Sequence, residues 1–360
     1  CRLVALQPGT ALTGLIADLT QSSMVLVQTV EPLTLPASRQ LMNSQLAEFV
    51  SPEAVGPAVK DELLRRAGGI PLVIVSYAKA VGGGPDHELP ASVPAAVLEA
   101  VRLGMGAISQ VARQVAQVVS VAGGPIPRAA VVMVAGKLGA SEQAVVQALD
   151  SGCSANLLLE RPDDTYEFLS DALAEAIEGE LGNAQRAYLH REIANALARL
   201  NPQGHEAALA AHYLQAGNID LATSYLGSAG QKAQACTAYA ESARYFAELA
   251  QQYEARGQSY EAARTREHLG IVLGLLGQQE EALRVLDCAR QGYRVLGDRE
   301  GQGRVAALIS TVDADSRPPR EALAHVEDEA AAATAERLPL REQALISLAL
   351  ARAYRRLGRY

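Results

Sequence analysis

The sequence predicts a mainly α-helical protein whose second half is a solenoid of paired helices, and three observations carry that expectation. The 360 residues are 49% hydrophobic yet include three Phe, twelve Tyr and no Trp, and apolar content drawn from Ala and Leu suits helices packed through small contacts. Small residues recur five apart, glycine then alanine, at Gly217/Ala222, Gly257/Ala262 and Gly277/Ala282. At each pair the glycine can end one helix and the alanine can open the buried face of the next. From Glu206 onward helical patterns alternate about every twenty residues, with breaks near Gly217, Gly257, Gly277, Gly297 and at Arg317-Pro318-Pro319. No single hairpin of this kind buries both its faces, so the pairs must stack.

The first part of the chain reads differently. Residues 2–7 and 24–30 are short apolar runs of strand type flanking a helical pattern from Ala11 to Leu19, a unit suited to the edge of an α/β sheet. Helices then follow: one from Pro36-Ala37-Ser38 to Phe49, one from Ser51-Pro52-Glu53 to Ala67, and, after the break Gly68-Gly69-Ile70-Pro71, one from Leu72 to Ala80. Val81 to Asp86 is glycine-rich and reads as a linker. From Val93 to Phe168 the order is helix, helix, a Gly123-Gly124-Pro125 break, helix, a Ser141-capped helix, and two short strands at 156–160 and 165–168. Helices closed by a small hairpin form the winged-helix pattern.

Charge bears on what that pattern can bind. The chain has a net charge of -8, and the helix that would enter a DNA groove, Ser141 to Ser151, carries Glu142 and Asp150 with no Lys or Arg. Phosphate binding needs clustered cations, so the expectation is a packing module that makes no direct contact with nucleic acid. No run approaches the roughly 18 apolar residues of a membrane span. Cys1, Cys153, Cys236 and Cys288 are isolated, which favours a reducing cytoplasm.

Catalytic patterns are missing from the sequence. The Gly136-Lys137 pair is followed by Leu138 and has Val131 where a phosphate loop needs its first glycine. His190-Arg191-Glu192 lacks the cysteine pair of a zinc deaminase and is expected on a solvated helix face; His205 and His212 lack partners at ligand spacing. This stretch of chain is therefore expected to be no enzyme. It begins at Cys1 inside an apolar run and ends on Leu357-Gly358-Arg359-Tyr360, which looks like the turn of another copy, so it reads as an internal piece of a longer protein.

The stretch Leu269-Gly270, Gly277, Ala282, Leu286, Ala289 resembles a tetratricopeptide hairpin. Together with Arg66-Ala67-Gly68-Gly69-Ile70-Pro71-Leu72 and Tyr166-Glu167-Phe168-Leu169-Ser170-Asp171, the element order is similar to the C-terminal part of signal-transduction ATPases with numerous domains, the STAND branch of AAA+ proteins, including large LuxR-type regulators. The resemblance implies residues 1–35 as the edge of a nucleotide-binding domain, 36–81 as a helical lid, 82–92 as linker, 93–180 as winged helix and 181–360 as tetratricopeptide-like repeats. It implies ATP or ADP bound by the intact parent, with Gly69 and Pro71 at the adenine and Ser170 and Asp171 where relatives carry His and Asp. Ser170 supplies no cation, and its plain role is to cap the helix starting at Asp171. Gln7-Pro8-Gly9 lacks the arginine that relatives use to sense phosphate.

Two outputs remain open: a transcriptional regulator, or the accessory region of a cyclase or protein kinase. The expected partners are a protein or small-molecule signal on the repeats, with self-association as a further expectation. On the last helix Arg352, Arg355, Arg356 and Arg359 follow three-and-four spacing opposite Ile346, Leu350, Ala353 and Leu357, so an anionic partner is expected there.

Overall fold

The structure, a computed structural model, describes residues 31–358 apart from 85, 86, 202, 317 and 336. The strand-helix-strand unit expected over 2–30 lies outside the described residues. Among the described residues the chain is mainly α, with one small sheet. It divides into two compact units at Asn201/Pro202.

In the first unit, α1 (Leu35–Leu46) packs on α3 (Pro71–Gly82), and α2 (Pro57–Ala67) packs on both. The helix expected to begin at Ser51 instead forms a single 3-10 turn at Pro52–Ala54 and restarts at Pro57. A proline has no N–H to give and is favoured in a first helical turn, so Pro57 resets the start. Gly68 (φ 58°) and Gly69 (φ 74°) end α2 in the left-handed region.

Helices α4 (Ala95–Ala107), α5 (Gln110–Ala122), α6 (Arg128–Lys137) and α7 (Glu142–Ser154) follow. The hydroxyls of Ser109 and Ser141 accept hydrogen bonds from the N–H groups of Ala112 and Ala144 and so cap α5 and α7. Strands β1 (Ile126–Pro127), β2 (Leu158–Glu160) and β3 (Thr165–Phe168) form an antiparallel sheet in the order β1-β3-β2, with Ile126 opposite Tyr166 and Leu158 opposite Phe168. Helix α8 (Asp171–Gly179) then returns to the first helices: Ala172, Ala176 and Ile177 share one core with Met42, Leu63, Tyr77 and Val97. Helix α9 (Asn183–Leu200) lies on α5 and α6.

The second unit is a row of helices: α10 (Glu206–Gln215), α11 (Ile219–Ala235), α12 (Tyr239–Ala255), α13 (Ser259–Leu275), α14 (Gln279–Leu296), α15 (Arg299–Ser316), α16 (Pro319–Ala335) and α17 (Leu340–Arg356). Each packs on the next. The alanines of the five-step offset, Ala222, Ala262 and Ala282, are buried as expected.

The turns share one geometry. The N–H groups of Asn218, Ala238, Gln258, Gln278 and Asp298 each donate to the carbonyl five residues back, at 2.9 to 3.0 Å, while the residue before each has positive φ: Gly217, Thr237, Gly257, Gly277 and Gly297. This satisfies the last carbonyls of one helix and fixes the entry to the next. Within the hairpins the helices approach closely at glycine: a Cβ on Gly230 would lie 2.9 Å from the Phe246 ring, and one on Gly270 would lie 2.5 Å from Leu286. The core is serial, passing from Leu226, Phe246 and Val272 to Leu286, Tyr293 and Ile309, and on to Val326, Ile346 and Ala349. That is the packing of a solenoid.

Candidate functional site

The residues singled out at the glycine turn and at the end of β3 meet, although about a hundred positions separate them. Positive φ at Gly68 and Gly69 folds the turn back on the chain, and neither has room for a side chain: a Cβ on Gly68 would lie 2.1 Å from the Leu169 carbonyl oxygen, and one on Gly69 would lie 2.5 Å from that of Leu33. The Leu33 N–H donates to the Gly69 carbonyl at 2.9 Å. Ser170, fully buried, donates its hydroxyl to the Arg66 carbonyl at 2.8 Å and accepts from the Leu173 N–H at 3.4 Å, capping α8 as expected. Beside it the Arg65 guanidinium pairs with the Asp171 carboxylate at 2.5 Å. Hydrogen bonds from Arg65 and Arg66 also hold the Glu62 carboxyl at about 2.

These contacts test whether the residues fit a nucleotide. Ser170 is enclosed with its hydroxyl already engaged, Asp171 brings a negative charge, and the space beside Gly69 is filled by Leu33. Neither Ser170 nor Asp171 brings a positive charge to a phosphate, and Gly69, expected at the adenine, is packed on Leu33. Pro71, at the first turn of α3, is exposed beside the exposed Leu72, an apolar surface on which a flat base could rest.

The β1–β3 module is built around internal charge pairs. Arg161 on the hairpin meets Glu167 at 2.7 Å, Arg128 meets Asp164 at 3.1 Å, and Arg102 meets Glu180 at 3.0 Å. Arg113 donates to the Met105 carbonyl at 2.9 Å, and Lys137 pairs with Glu192 of α9. All five cations between Val93 and Phe168 thus have partners within the fold. The surface of α7 presents Glu142, Gln143, Gln147 and Asp150, a face without positive charge.

His190 and Glu192, expected on a solvated face, are both buried. Helix α9 lies against α5 and α6 and buries His190 and Glu192 along with the apolar Leu189, Ile193 and Leu197. Burial pushes the Glu192 carboxyl up, but hydrogen bonds from Lys137 and Arg191 outweigh it and hold the group below its ordinary value. Burial likewise holds the His190 imidazole down.

Sequence reasoning also missed a polar cluster in the repeats. Tyr293, fully buried on α14, donates its hydroxyl to Glu267 of α13 at 3.0 Å, while Arg304 of α15 meets the same carboxylate at 3.2 Å and lies over the Tyr293 ring. Three consecutive helices share one carboxylate; a charged residue recurring inside an otherwise apolar stripe is the only signal that could have flagged it.

Of the four arginines assigned to a partner, three lie among the described residues. Arg356 is exposed and donates to the Ala314 carbonyl at the end of α15. Arg352 is half-buried, Arg355 is exposed, and Arg359 lies outside the described residues. Ile346 and Ala353 are buried as expected, whereas Leu350 and Leu357 are only partly covered.

No family model matches the chain, and no curated protein does. Among solved structures the chain is similar to a signal transduction ATPase with numerous domains (STAND) protein with a tetratricopeptide repeat sensor from Pyrococcus horikoshii, at 13% identity and a TM-score of 0.36, covering 94% of this chain and 53% of that one. The chain therefore spans about half the length of that protein. A superposition so loose fixes no detail, and the fold described above stands on its own helices and strands. Among the described residues no helix is long and apolar enough to cross a membrane, and no cluster of His, Cys, Asp and Glu is arranged to hold a metal ion.

Proposed function

We propose that this chain is the regulatory and protein-interaction region of a STAND-type ATPase acting in transcriptional regulation, in which the helical row of the second unit receives a protein or small-molecule signal. The observation that carries this reading is the serial core of α10 to α17: each helix is braced by those one or two places along the row, so a ligand on one hairpin can bias the next. The β1–β3 module serves in this reading as a winged helix used for packing. Its element order and sheet order support that, and the internal pairing of its cations supports a role without DNA. ATP or ADP belongs to the intact parent, with contact to this region through Pro71, and hydrolysis belongs to residues outside it.

The test is made on the intact parent. Gly270→Leu forces α13 and α14 apart, and is expected to abolish the response to the natural signal while basal nucleotide turnover persists. A full response from a variant whose repeats have lost their helicity would reject the row as the sensor.

A further inference from the structure

The repeats of the second unit can be laid over one another position by position. The left-handed turn residues Gly217, Gly257, Gly297 and Arg337 stand forty apart, and the N–H groups of Asn218, Gln258, Asp298 and Leu338 close the same bond to the carbonyls of Tyr213, Tyr253, Tyr293 and Ala333 at 2.9 to 3.0 Å. In this overlay the cluster of Glu267, Tyr293 and Arg304 falls on Gly227, Tyr253 and Arg264 one repeat earlier, and on Ala307, Ala333 and Ala344 one repeat later. The later repeat shows that the fold itself needs none of the three. The earlier one keeps the tyrosine and the arginine and has glycine in place of the carboxylate. At the turn before that, Tyr213 stacks on Tyr225 at 5.7 Å, with Ser224 at the arginine position, so tyrosine and arginine occur together at only two of these four turns.

We propose that the place of the missing carboxylate is a binding site for a ligand carboxylate on a short aliphatic stem, received by the Arg264 guanidinium and the Tyr253 hydroxyl. The inference names the chemistry that the helical row recognises and rests on the reading of that row as the receiver of the signal. The position is open: a Cβ on Gly227 would lie 3.7 Å from Cδ2 of Leu249, an ordinary contact, whereas one on Gly230 or Gly270 would lie 2.9 or 2.5 Å from the facing side chain. Glycine at 227 therefore weakens the middle of α11 without relieving any close approach of helices. Arg264 is exposed and Tyr253 half-buried; no carboxylate among the described residues holds Arg264, Glu261 three residues before it included, and no described group bonds the Tyr253 hydroxyl. Open donors alone are ordinary on this surface. What distinguishes this pair is that the same two residue types, one repeat on, close on a carboxylate at 3.0 and 3.2 Å. A ligand entering here would lay its stem over Gly227 and Leu249 and give its two oxygens to charge-assisted and phenolic donors. A free dicarboxylate and a glutamate side chain of a partner protein share this chemistry.

The probes are glutarate and a capped, tyrosine-free peptide with a single glutamate, each titrated into the whole chain carrying carbon-13 in its tyrosine rings, with the Tyr253 resonance assigned from Tyr253→Phe. One or both are expected to shift that resonance saturably at about millimolar concentration. Binding of glutarate with the peptide excluded names a free dicarboxylate as the ligand; binding of the peptide names an acidic side chain of a partner. Apparent affinity should fall by about tenfold in Arg264→Gln and stay unchanged in Arg244→Gln, an exposed arginine on α12. Both arginines are exposed, so circular dichroism should show the two variants folded. Gly227→Glu supplies the carboxylate from within the chain: it should block the probes and melt at a higher temperature than Gly227→Gln, and that difference should vanish in an Arg264→Gln background. No saturable shift with either probe, binding that survives Arg264→Gln, or an equal loss in Arg244→Gln would overturn the site. An Arg264-dependent gain in Gly227→Glu with neither probe bound would also overturn it, leaving an eroded copy of the next repeat's cluster. A parent that loses its signal response in Gly270→Leu while neither probe binds would retain the proposed function and lose only this site.

Discussion

Two glycines on one helix make opposite predictions. Gly270 and Gly274 both lie in α13, where alanine gains up to about 1 kcal/mol in helix propensity over glycine. At Gly274 a Cβ would sit 3.7 Å from a Val312 methyl, an ordinary contact, so Gly274→Ala is expected to stabilise the second unit by about 0.5–1 kcal/mol. At Gly270 the same atom would sit 2.5 Å from both Cγ and Cδ2 of Leu286, a side chain with no exposed surface to retreat into. Overpacking a filled core costs about 1–3 kcal/mol, which equals or exceeds the propensity gain and leaves Gly270→Ala destabilising by up to about 2 kcal/mol. The two variants are to be compared by urea unfolding followed by circular dichroism, with hydrogen exchange of α13 and α14 assigning the change to this unit. Shortening Leu286 to alanine should turn Gly270→Ala from a loss into a gain, a coupling of about 1–3 kcal/mol in a double-mutant cycle. Equal stabilisation by Gly270→Ala and Gly274→Ala would show that α13 and α14 do not cross where the structure places them.

Thr237 occupies the left-handed turn position that glycine fills at 217, 257, 277 and 297; Thr237→Gly is expected to raise stability by about 1 kcal/mol, since a β-branched side chain is strained there, and a lowered melting temperature would contradict the shared turn geometry. Lys137→Met leaves Glu192 with Arg191 alone; because Lys137 is itself partly exposed, the expected cost is about 1–2 kcal/mol rather than the larger loss of a fully buried pair. The sign with pH follows from the carboxyl being held below its ordinary 4.5: the pair's stabilisation is present above that value and is lost as pH falls through the lower folded value, so acid unfolding of Lys137→Met should be flatter than that of wild type. Binding to random duplex DNA is expected to be undetectable at micromolar protein and low salt; a salt-sensitive anisotropy signal that Arg161→Gln removes would show that the module reads DNA.

The repeat period was legible where glycine or, at Pro318-Pro319, proline marks it, and not elsewhere. The breaks at Gly217, Gly257, Gly277 and Gly297 follow from φ preference, but the equivalent turns at Thr237 and Arg337 adopt positive φ through packing and hydrogen bonding, with no residue type to announce them. Strand β1 was missed for a related reason: two residues ending in proline have no periodicity, and Ile126 becomes a strand only because β3 lies beside it. His190 and Glu192 were misplaced because one sequence cannot say which side of α9 meets a neighbour. The arginines of α17 show the same limit. Spacing put Arg356 with Arg352 and Arg355 and could not show that its guanidinium donates to the Ala314 carbonyl at the end of α15.

The glycine turn at 66–71 shows how far a motif can be right about place without settling purpose. The resemblance singles out Gly69 and Pro71 together with Ser170 and Asp171, and the fold brings these segments into contact. Yet each small residue there is already required by the chain itself. Gly68 must lack a side chain because the Leu169 carbonyl is against it, Gly69 because Leu33 is, and Ser170 must be small and polar because it closes on the Arg66 carbonyl while capping α8. A motif that self-packing explains in full is no evidence of a ligand at those positions. Pro71 is different: its ring is exposed and makes no such closure, so ligand contact at this turn can be argued from Pro71 and its neighbour Leu72, and from nothing else in the motif.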